Sequence, residues 1–166
     1  MITIGTDSYI TVDFADSYIQ GFYGEDSNEY SIWDSLETSQ KEMYLKKSAM
    51  QIDNLPFTGI KKYKDQVMQL PRCNDNVSKF EDNEWTYNDL IKYAQAENVV
   101  SLMNGKLSSG GEGGSVRRQL EGVTGFSLDG FSETYSGNID SKLQIVGSQE
   151  ALSMLSSWLH GGFEIL

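Results

Sequence analysis

Cysteine and histidine are scarce in this sequence, and their scarcity excludes several classes of structure and chemistry. A single cysteine, Cys73, cannot form an intramolecular disulfide and is typical of a reducing compartment. One cysteine and one histidine are also too few for a structural zinc site without added carboxylates. No run of about 18 apolar residues occurs, so we expect no membrane span. The first residues have neither a basic nor an apolar segment, and we expect no signal peptide.

Basic residues are also few in this sequence. Thirteen basic residues stand against 24 acidic ones, which gives a formal net charge of −11. Sequence-independent binding to nucleic acid needs several Lys or Arg side chains on phosphates. The composition therefore predicts that any contact with DNA is weak or local. The length of 166 residues favours one domain over two.

Candidate catalytic residues are few. The only histidine, His160, is predicted in the last turn of a helix, where the helix dipole favours a structural role. No motif around His160 or Cys73 supports a nucleophile pair. The acidic segments lack the alternating pattern of a calcium loop, and the glycine cluster at 110–114 lacks the Gly-Lys-Ser/Thr ending of a phosphate-binding loop. We therefore expect no enzyme activity, no metal site and no cofactor.

Apolar spacing and capping residues predict a mainly α-helical fold with about four helices. Thr11 and Ser148 are suitable N-caps for the first and last helix, and Ser39 with Glu42 forms a capping box for the second. Residues 24–29 are acidic and polar, and we expect a loop there. The predicted helices span residues 12–22, 40–54, 86–103 and 149–160.

The third predicted helix is apolar around most of its circumference. A helix with this pattern is buried on more than one side. The second burying surface is either another copy of the protein or the remaining helices of an ordinary monomeric bundle. The sequence does not decide between these two interpretations.

Both prolines, Pro56 and Pro71, lie in one segment after the second helix. Pro56 has no amide hydrogen and pushes Leu55 toward extended geometry, so the helix should end at or before Leu55. Gly59 permits a sharp turn. We expect Leu55 and Phe57 to face the core and the two lysines after Ile60 to face water.

The C-terminal half has a different texture. Residues 105–114 are rich in glycine and predict a flexible linker. Residues 115–146 contain alternating apolar positions and predict a β-hairpin-like arm. We therefore expect a single domain, 1–166, with a helical core at about 8–105 and 147–166.

The order and spacing of these features resemble those of tailed-phage head-tail connector proteins, also called adaptor or head completion proteins. Some members are labelled DnaT-like single-stranded DNA-binding proteins. The resemblance is closest in the first half, while the acidic segment 74–83 and the glycine-rich linker depart from the pattern. The residues that carry it are Tyr9, Thr11, Asp53, Pro56, Phe57, Gly59, Lys61, Pro71 and Arg72.

The resemblance implies a structural virion protein, made in the host cytoplasm and placed at the head-tail interface. It would form a closed ring, commonly of twelve copies, between the portal protein and the next neck or tail protein. Packaged double-stranded DNA would pass through without specific binding, and no membrane or catalysis is implied. Candidate contacts with a neighbouring copy or the portal are Arg117, Arg118, Phe126, Phe131 and Tyr135.

The alternative function is that of a single-stranded DNA-binding replication accessory protein. Such proteins combine a basic groove with aromatic side chains on which bases stack. Here several aromatic residues, among them Tyr23, Tyr30 and Trp33, lie among acidic ones. The sequence therefore favours the ring adaptor as the main expectation.

Overall fold

Five α-helices and two small antiparallel sheets make up the described part of the computed structural model, residues 1–73, 89–104, 125–128, 131–134 and 145–160. The expected mainly helical fold is therefore confirmed. No helix in these ranges is long and apolar enough to cross a membrane. The elements are α1 (Val12–Tyr23), α2 (Asn28–Asp34), α3 (Thr38–Asp53), β1 (Ile60–Lys61), β2 (Arg72–Cys73), α4 (Asp89–Met103), β3 (Gly125–Leu128), β4 (Phe131–Thr134) and α5 (Gln149–Leu155).

Side-chain caps fix the starts of α1 and α5 as the sequence predicts. The Thr11 hydroxyl accepts a hydrogen bond from the Phe14 amide at 3.1 Å. The Ser148 hydroxyl accepts one from the Ala151 amide at the same distance. These bonds satisfy amide groups that have no partner within the first helical turn.

The start of α3 differs from the prediction. The helix begins at Thr38, and its capping box joins Glu37 to Gln40 instead of Ser39 to Glu42. The Gln40 side-chain oxygen accepts from the Glu37 amide at 2.9 Å. Two overlapping capping patterns are present in this segment, and the outer one is used, so the helix begins two residues earlier than predicted.

The prediction of a loop over residues 24–29 is wrong at its end, because α2 begins at Asn28. The Ser27 hydroxyl caps this helix by accepting from the Tyr30 amide at 3.0 Å. Trp33 in α2 is buried, and its indole N–H donates to Asp16 of α1 at 2.6 Å. Ser27, followed by Glu29 in the first turn, was the available sequence signal.

The last helix is shorter than predicted. After α5, a 3₁₀ turn covers Ser156–Trp158, and Leu159 then forms an antiparallel bridge with Phe57. The His160 amide donates to the Pro56 carbonyl at 2.9 Å. His160 therefore lies beyond the helix, against the turn at residues 55–59, which we call the proline turn. The prediction that His160 interacts with a helix C-terminus is wrong.

Helix α4 lies at the centre of the fold and packs against α1, α2, α3 and α5. Ile91 and Ala94 belong to a core cluster shared with α5 and the proline turn. Ala96, Val99 and Val100 belong to a second cluster shared with α1 and α3. Helices of the same chain thus account for the burial of α4 on several sides, as the monomeric-bundle interpretation requires.

Polar side chains on α4 fix its position within this core. Gln95 is fully buried, and its amide nitrogen donates to the Ser8 hydroxyl at 2.7 Å and to the Leu45 carbonyl at 2.9 Å. Its side-chain oxygen accepts from the Tyr9 amide at 2.8 Å. Because buried polar groups are costly when unpaired, only one position of α4 against the N-terminal segment satisfies all of them.

A carboxylate joins α4 to α1. The hydroxyls of Tyr18 and Tyr23 donate to different oxygens of Glu97, at 2.7 and 2.6 Å. Burial, followed by the hydrogen bond and charge of Glu97, raises the pKa of both phenols far above the ordinary value of tyrosine.

The hairpin predicted in the C-terminal half is present as β3 and β4, with Phe126 opposite Glu133 and Leu128 opposite Phe131. Phe126 and Phe131, two of the predicted contact residues, lie in these strands, and their side chains are outside the described part of the structure. The other predicted contact residues, Arg117, Arg118 and Tyr135, lie outside the described residues. So do the linker and the rest of the arm, apart from residues 145–146. The proposed limits of core, linker and arm therefore stay predictions.

Replacing Gln95 with Leu should lower the free energy of unfolding by about 3 kcal/mol. The change leaves the Tyr9 amide and the Ser8 hydroxyl buried without this partner. Urea unfolding followed by circular dichroism measures the difference. Gln149→Leu, at an exposed position of α5, is the control and should change stability by at most about 0.5 kcal/mol. Equal effects of the two substitutions would contradict the importance of the polar core.

Stability should fall at alkaline pH because the folded chain keeps two phenol protons that the unfolded chain releases. The contribution of Tyr18 and Tyr23 is complete below the pKa of an unfolded tyrosine, about 10, and decreases as the pH rises above it. Urea midpoints measured between about pH 9 and about pH 11 should fall less steeply in the double variant Tyr18→Phe/Tyr23→Phe. Met50→Leu, at an exposed position of α3, is the control and should keep the slope of the wild type. Parallel curves for all three proteins would contradict this assignment.

Candidate nucleic-acid interface

The proline turn leads into a short two-stranded unit, residues 58–72, which we call the basic loop. Its strands are β1 and the start of β2, with Ile60 opposite Cys73 and Lys61 opposite Arg72. The Lys62 amide donates to the Pro71 carbonyl at 3.1 Å and extends the pairing. The sequence prediction of a simple chain reversal missed this pairing, because two-residue strands leave almost no periodic signal.

The base of the basic loop is fixed to the core. Helix α3 ends at Asp53, before Pro56, as predicted, and Leu55 and Phe57 are buried. The Thr58 amide donates to the Trp158 carbonyl at 2.8 Å. The C-terminal segment therefore holds the entry to the loop, although about 100 residues separate the two in sequence.

Asp53 joins the loop to the N-terminal segment. Its carboxylate accepts hydrogen bonds from the Tyr9 hydroxyl and from the Gln69 amide, the latter at 3.0 Å. Three segments that are distant in sequence thus meet at one carboxylate. A charged acceptor makes such hydrogen bonds stronger than neutral ones.

Arg72 holds the two sides of the loop together. Its Nε donates to the Thr58 carbonyl at 2.7 Å, Nη2 to the Gly59 carbonyl at 2.5 Å and Nη1 to the Gln69 side chain at 2.7 Å. Gly59 has a φ of 74°, in the left-handed region that favours glycine, and the predicted turn is confirmed. Partial burial lowers the pKa of Arg72, while Tyr9 acts in the opposite direction, and arginine stays charged at neutral pH.

The tip of the loop has its own hydrogen bonds. The Lys61 ammonium donates to the Val67 carbonyl at 3.2 Å, so this lysine supports the turn instead of pointing freely into water as predicted. The Gln66 side chain accepts from the Tyr63 amide at 2.9 Å and donates to the Met68 carbonyl at 2.9 Å. These contacts give residues 61–68 a defined shape.

Positive charge and an aromatic ring meet at this tip. The basic loop as a whole contains four basic residues, Lys61, Lys62, Lys64 and Arg72, and a single acidic one, Asp65. The overall charge of the chain, in contrast, is strongly negative. Tyr63 is 54% exposed, and the Lys62 ammonium lies 5.7 Å from the centre of its ring. Lysines beside an exposed aromatic ring are the combination used to bind single-stranded nucleic acid.

The structure brings most of the predicted motif residues together. Eight of the nine lie in or around the basic loop, whereas Thr11 caps α1 and takes no part in it. Pro71 follows a cis peptide bond. Sequence reasoning missed Lys62, Tyr63 and Lys64 as functional candidates, although the run Lys-Lys-Tyr-Lys was a readable signal. The convergent residues are Tyr9, Asp53, Pro56, Phe57, Gly59, Lys61, Pro71 and Arg72.

The two candidates for catalysis differ in burial, since His160 is exposed. Cys73 is fully buried in β2. Within the described ranges, no group of three or more His, Cys, Asp or Glu side chains is placed to hold a metal ion. Arg117 and Arg118, the other predicted contacts, lie outside those ranges.

Comparison with known protein families assigns the chain to one of them. A family model matches residues 2–162, which is nearly the whole sequence. The chain belongs to the family described as "Putative DnaT-like ssDNA binding protein". No curated protein and no solved structure matches it.

The family membership contradicts the main functional expectation. A ring adaptor between portal and tail proteins, with DNA passing through unbound, is not supported, and the alternative of a single-stranded DNA-binding protein agrees better. The role of the motif residues as a scaffold stays a prediction, and a scaffold does not identify what it supports. The net charge favoured the ring adaptor because it is a sum over the whole chain and does not show that the basic loop is locally positive.

Arg72→Lys should loosen the basic loop without removing its charge. Lysine cannot reproduce three donors in a fixed plane, and we expect the free energy of unfolding to fall by about 2 kcal/mol. Hydrogen exchange of the backbone amides in residues 58–69 should become faster, while exchange in α1 stays unchanged. Lys92→Arg, which also keeps the charge, is the control on α4. Unchanged protection of the loop in Arg72→Lys would contradict the role assigned to the guanidinium.

Proposed function

We propose that this protein binds single-stranded DNA through the basic loop and that it acts by binding and not by catalysis. The observation that carries the proposal is the tip of the basic loop, where Lys62 precedes and Lys64 follows Tyr63 in the sequence. The Tyr63 ring is exposed, and the Lys62 ammonium lies near it. The family to which the chain belongs supports the same function.

The chemistry of the tip suits a single strand. An unpaired base has both faces accessible and can stack on the Tyr63 ring, whereas the bases of a duplex are stacked on each other. The lysines can reach phosphates on either side of the stacked base. Stacking needs no particular base, so we expect little sequence preference.

The rigid foundation of the loop adds to this function. Arg72, Asp53 and Lys61 hold the backbone before any ligand arrives. A loop that is already ordered loses less conformational entropy on binding. Arg72 and Lys61 already donate hydrogen bonds to backbone carbonyls of the loop. Those carbonyls therefore do not compete with DNA phosphates for Lys62 and Lys64.

Electrostatics should make the binding local and sensitive to salt. The protein as a whole repels DNA because its formal charge is −11. Attraction must therefore come from the few cations in contact with the strand, and added salt weakens it in proportion to the number of phosphate contacts. The earlier expectation of weak or local contact is consistent with this proposal.

Lys62→Gln/Lys64→Gln should weaken binding to a fluorescent oligothymidylate of about 15 nucleotides, measured by anisotropy at several salt concentrations. Loss of two phosphate contacts should reduce the slope of log affinity against log salt by about 1.4. Tyr63→Ala should weaken binding about tenfold with little change in slope, since stacking is not an ionic contact.

The matched control is Lys46→Gln/Lys47→Gln, which removes the same charge from the exposed face of α3. Lys46 there pairs with Asp7 at 3.3 Å, a surface contact of small energetic weight. The control should bind the oligonucleotide almost as tightly as the wild type. Equal losses in the two double variants, or no binding by the wild type, would contradict the proposed interface.

A further inference from the structure

Two large exposed side chains with apolar surface lie at the tip of the basic loop, and the DNA contacts proposed above include one of them, Tyr63. The other is Val67, which is 64% exposed and so more open to water than Tyr63. The residue after it, Met68, is 3% exposed and belongs to the core cluster that also contains Leu70. Met68 therefore attaches this side of the loop to the core, whereas Val67 stays in contact with solvent.

A tight turn holds Val67 near Tyr63. The Gln66 amide donates to the Tyr63 carbonyl at 3.4 Å and closes a β-turn over residues 63–66. The ends of such a turn lie within about 7 Å of each other, and Val67 directly follows the turn.

The Gln66 side chain stiffens this arrangement. Its oxygen accepts from the Tyr63 amide at 2.9 Å, and its nitrogen donates to the Met68 carbonyl at 2.9 Å. One side chain thus joins the backbone at Tyr63 to the backbone just after Val67. The spacing between these two exposed residues is set before any ligand binds.

Positive charge lies beside both residues. The Lys61 ammonium is 3.2 Å from the Val67 carbonyl and 3.5 Å from the Gln66 carbonyl. The Lys62 ammonium is 5.7 Å from the centre of the Tyr63 ring. Asp65 is exposed within the turn, but it is outnumbered by the lysines at 61, 62 and 64. A ligand that matches this tip carries negative charge together with apolar groups, as a nucleic-acid strand does.

A base stacked on one ring still exposes much of its surface. Stacking on Tyr63 covers one face, and the other face and the edges stay in contact with water. Apolar surface that leaves water on binding contributes to affinity roughly in proportion to its area. The methyl groups of an adjacent valine can cover part of what the ring leaves exposed.

We infer that Val67 is a second base-contacting residue of the basic loop, which packs against the same base that stacks on Tyr63. This inference rests on the proposed function and deepens it, because it assigns a two-residue contact to a single base. The contact is apolar and does not depend on a particular pattern of donors and acceptors on the base.

The test measures binding of the full chain to a fluorescent oligothymidylate of about 15 nucleotides by anisotropy at several salt concentrations. Val67→Ala should weaken binding about fivefold because apolar contact area is lost. The slope of log affinity against log salt should stay that of the wild type, since no phosphate contact is removed. Met43→Ala, at a residue of α3 that is 53% exposed, is the matched control and should bind like the wild type. Circular dichroism should show that both variants are folded, since both positions are exposed.

Two further variants test whether Val67 and Tyr63 contact the same base. Val67→Leu keeps an apolar side chain and should retain the affinity of the wild type. The double variant Tyr63→Ala/Val67→Ala should lose less than the product of the two single losses, because a base that no longer stacks on the ring is not held against residue 67.

The outcomes separate this inference from the proposed function. Normal binding by Val67→Ala, a reduced salt slope in that variant, or independent losses in the double variant would overturn the role of Val67. If Lys62→Gln/Lys64→Gln still weakens binding in that case, the proposed function stands. Absence of binding by the wild type would instead overturn both.

Discussion

The candidate interface depends on the hydrogen bonds that the Arg72 guanidinium donates. It bonds to two backbone carbonyls on one side of the basic loop and to the Gln69 side chain on the other. The backbone amide of Gln69 in turn donates to Asp53, which also accepts from the Tyr9 hydroxyl. An arginine suits this place because its donors lie in one plane and its charge strengthens each bond. This arrangement fixes the base of the loop that carries Lys62, Tyr63 and Lys64.

The distribution of charge accounts for an acidic chain in a family whose description is that of a single-stranded DNA-binding protein. Net charge controls long-range attraction, but close contact depends on the few groups that touch the ligand. In the basic loop three lysines and an arginine occupy a short segment with one acid. Much of the acidic character of the described residues lies elsewhere, on α1, α2 and the segments around them. Under the proposed function, a surface of this kind would keep bound DNA confined to the loop.

Local signals predicted much of the fold. Thr11 and Ser148 as caps, the end of α3 before Pro56 and the turn at Gly59 are all confirmed, since each depends on the bonding of a few neighbouring residues. Helix α2 and the two-residue strands were missed because short elements carry little periodic pattern. The central position of α4 was one of two open interpretations. Its burial became clear only from the helices that surround it.

The sequence by itself determined the helical fold class, the helix starts at Thr11 and Ser148, and the set of motif residues around the proline turn. Those features arise from propensities, capping and backbone restrictions that act over a few residues. Only the tertiary structure decided that Tyr9, Asp53 and Arg72 meet. Contacts between distant segments depend on how all the helices pack together, because burial and buried hydrogen bonds must be satisfied at once. The proline turn is therefore readable from local sequence, whereas the surface it supports is a property of the folded chain.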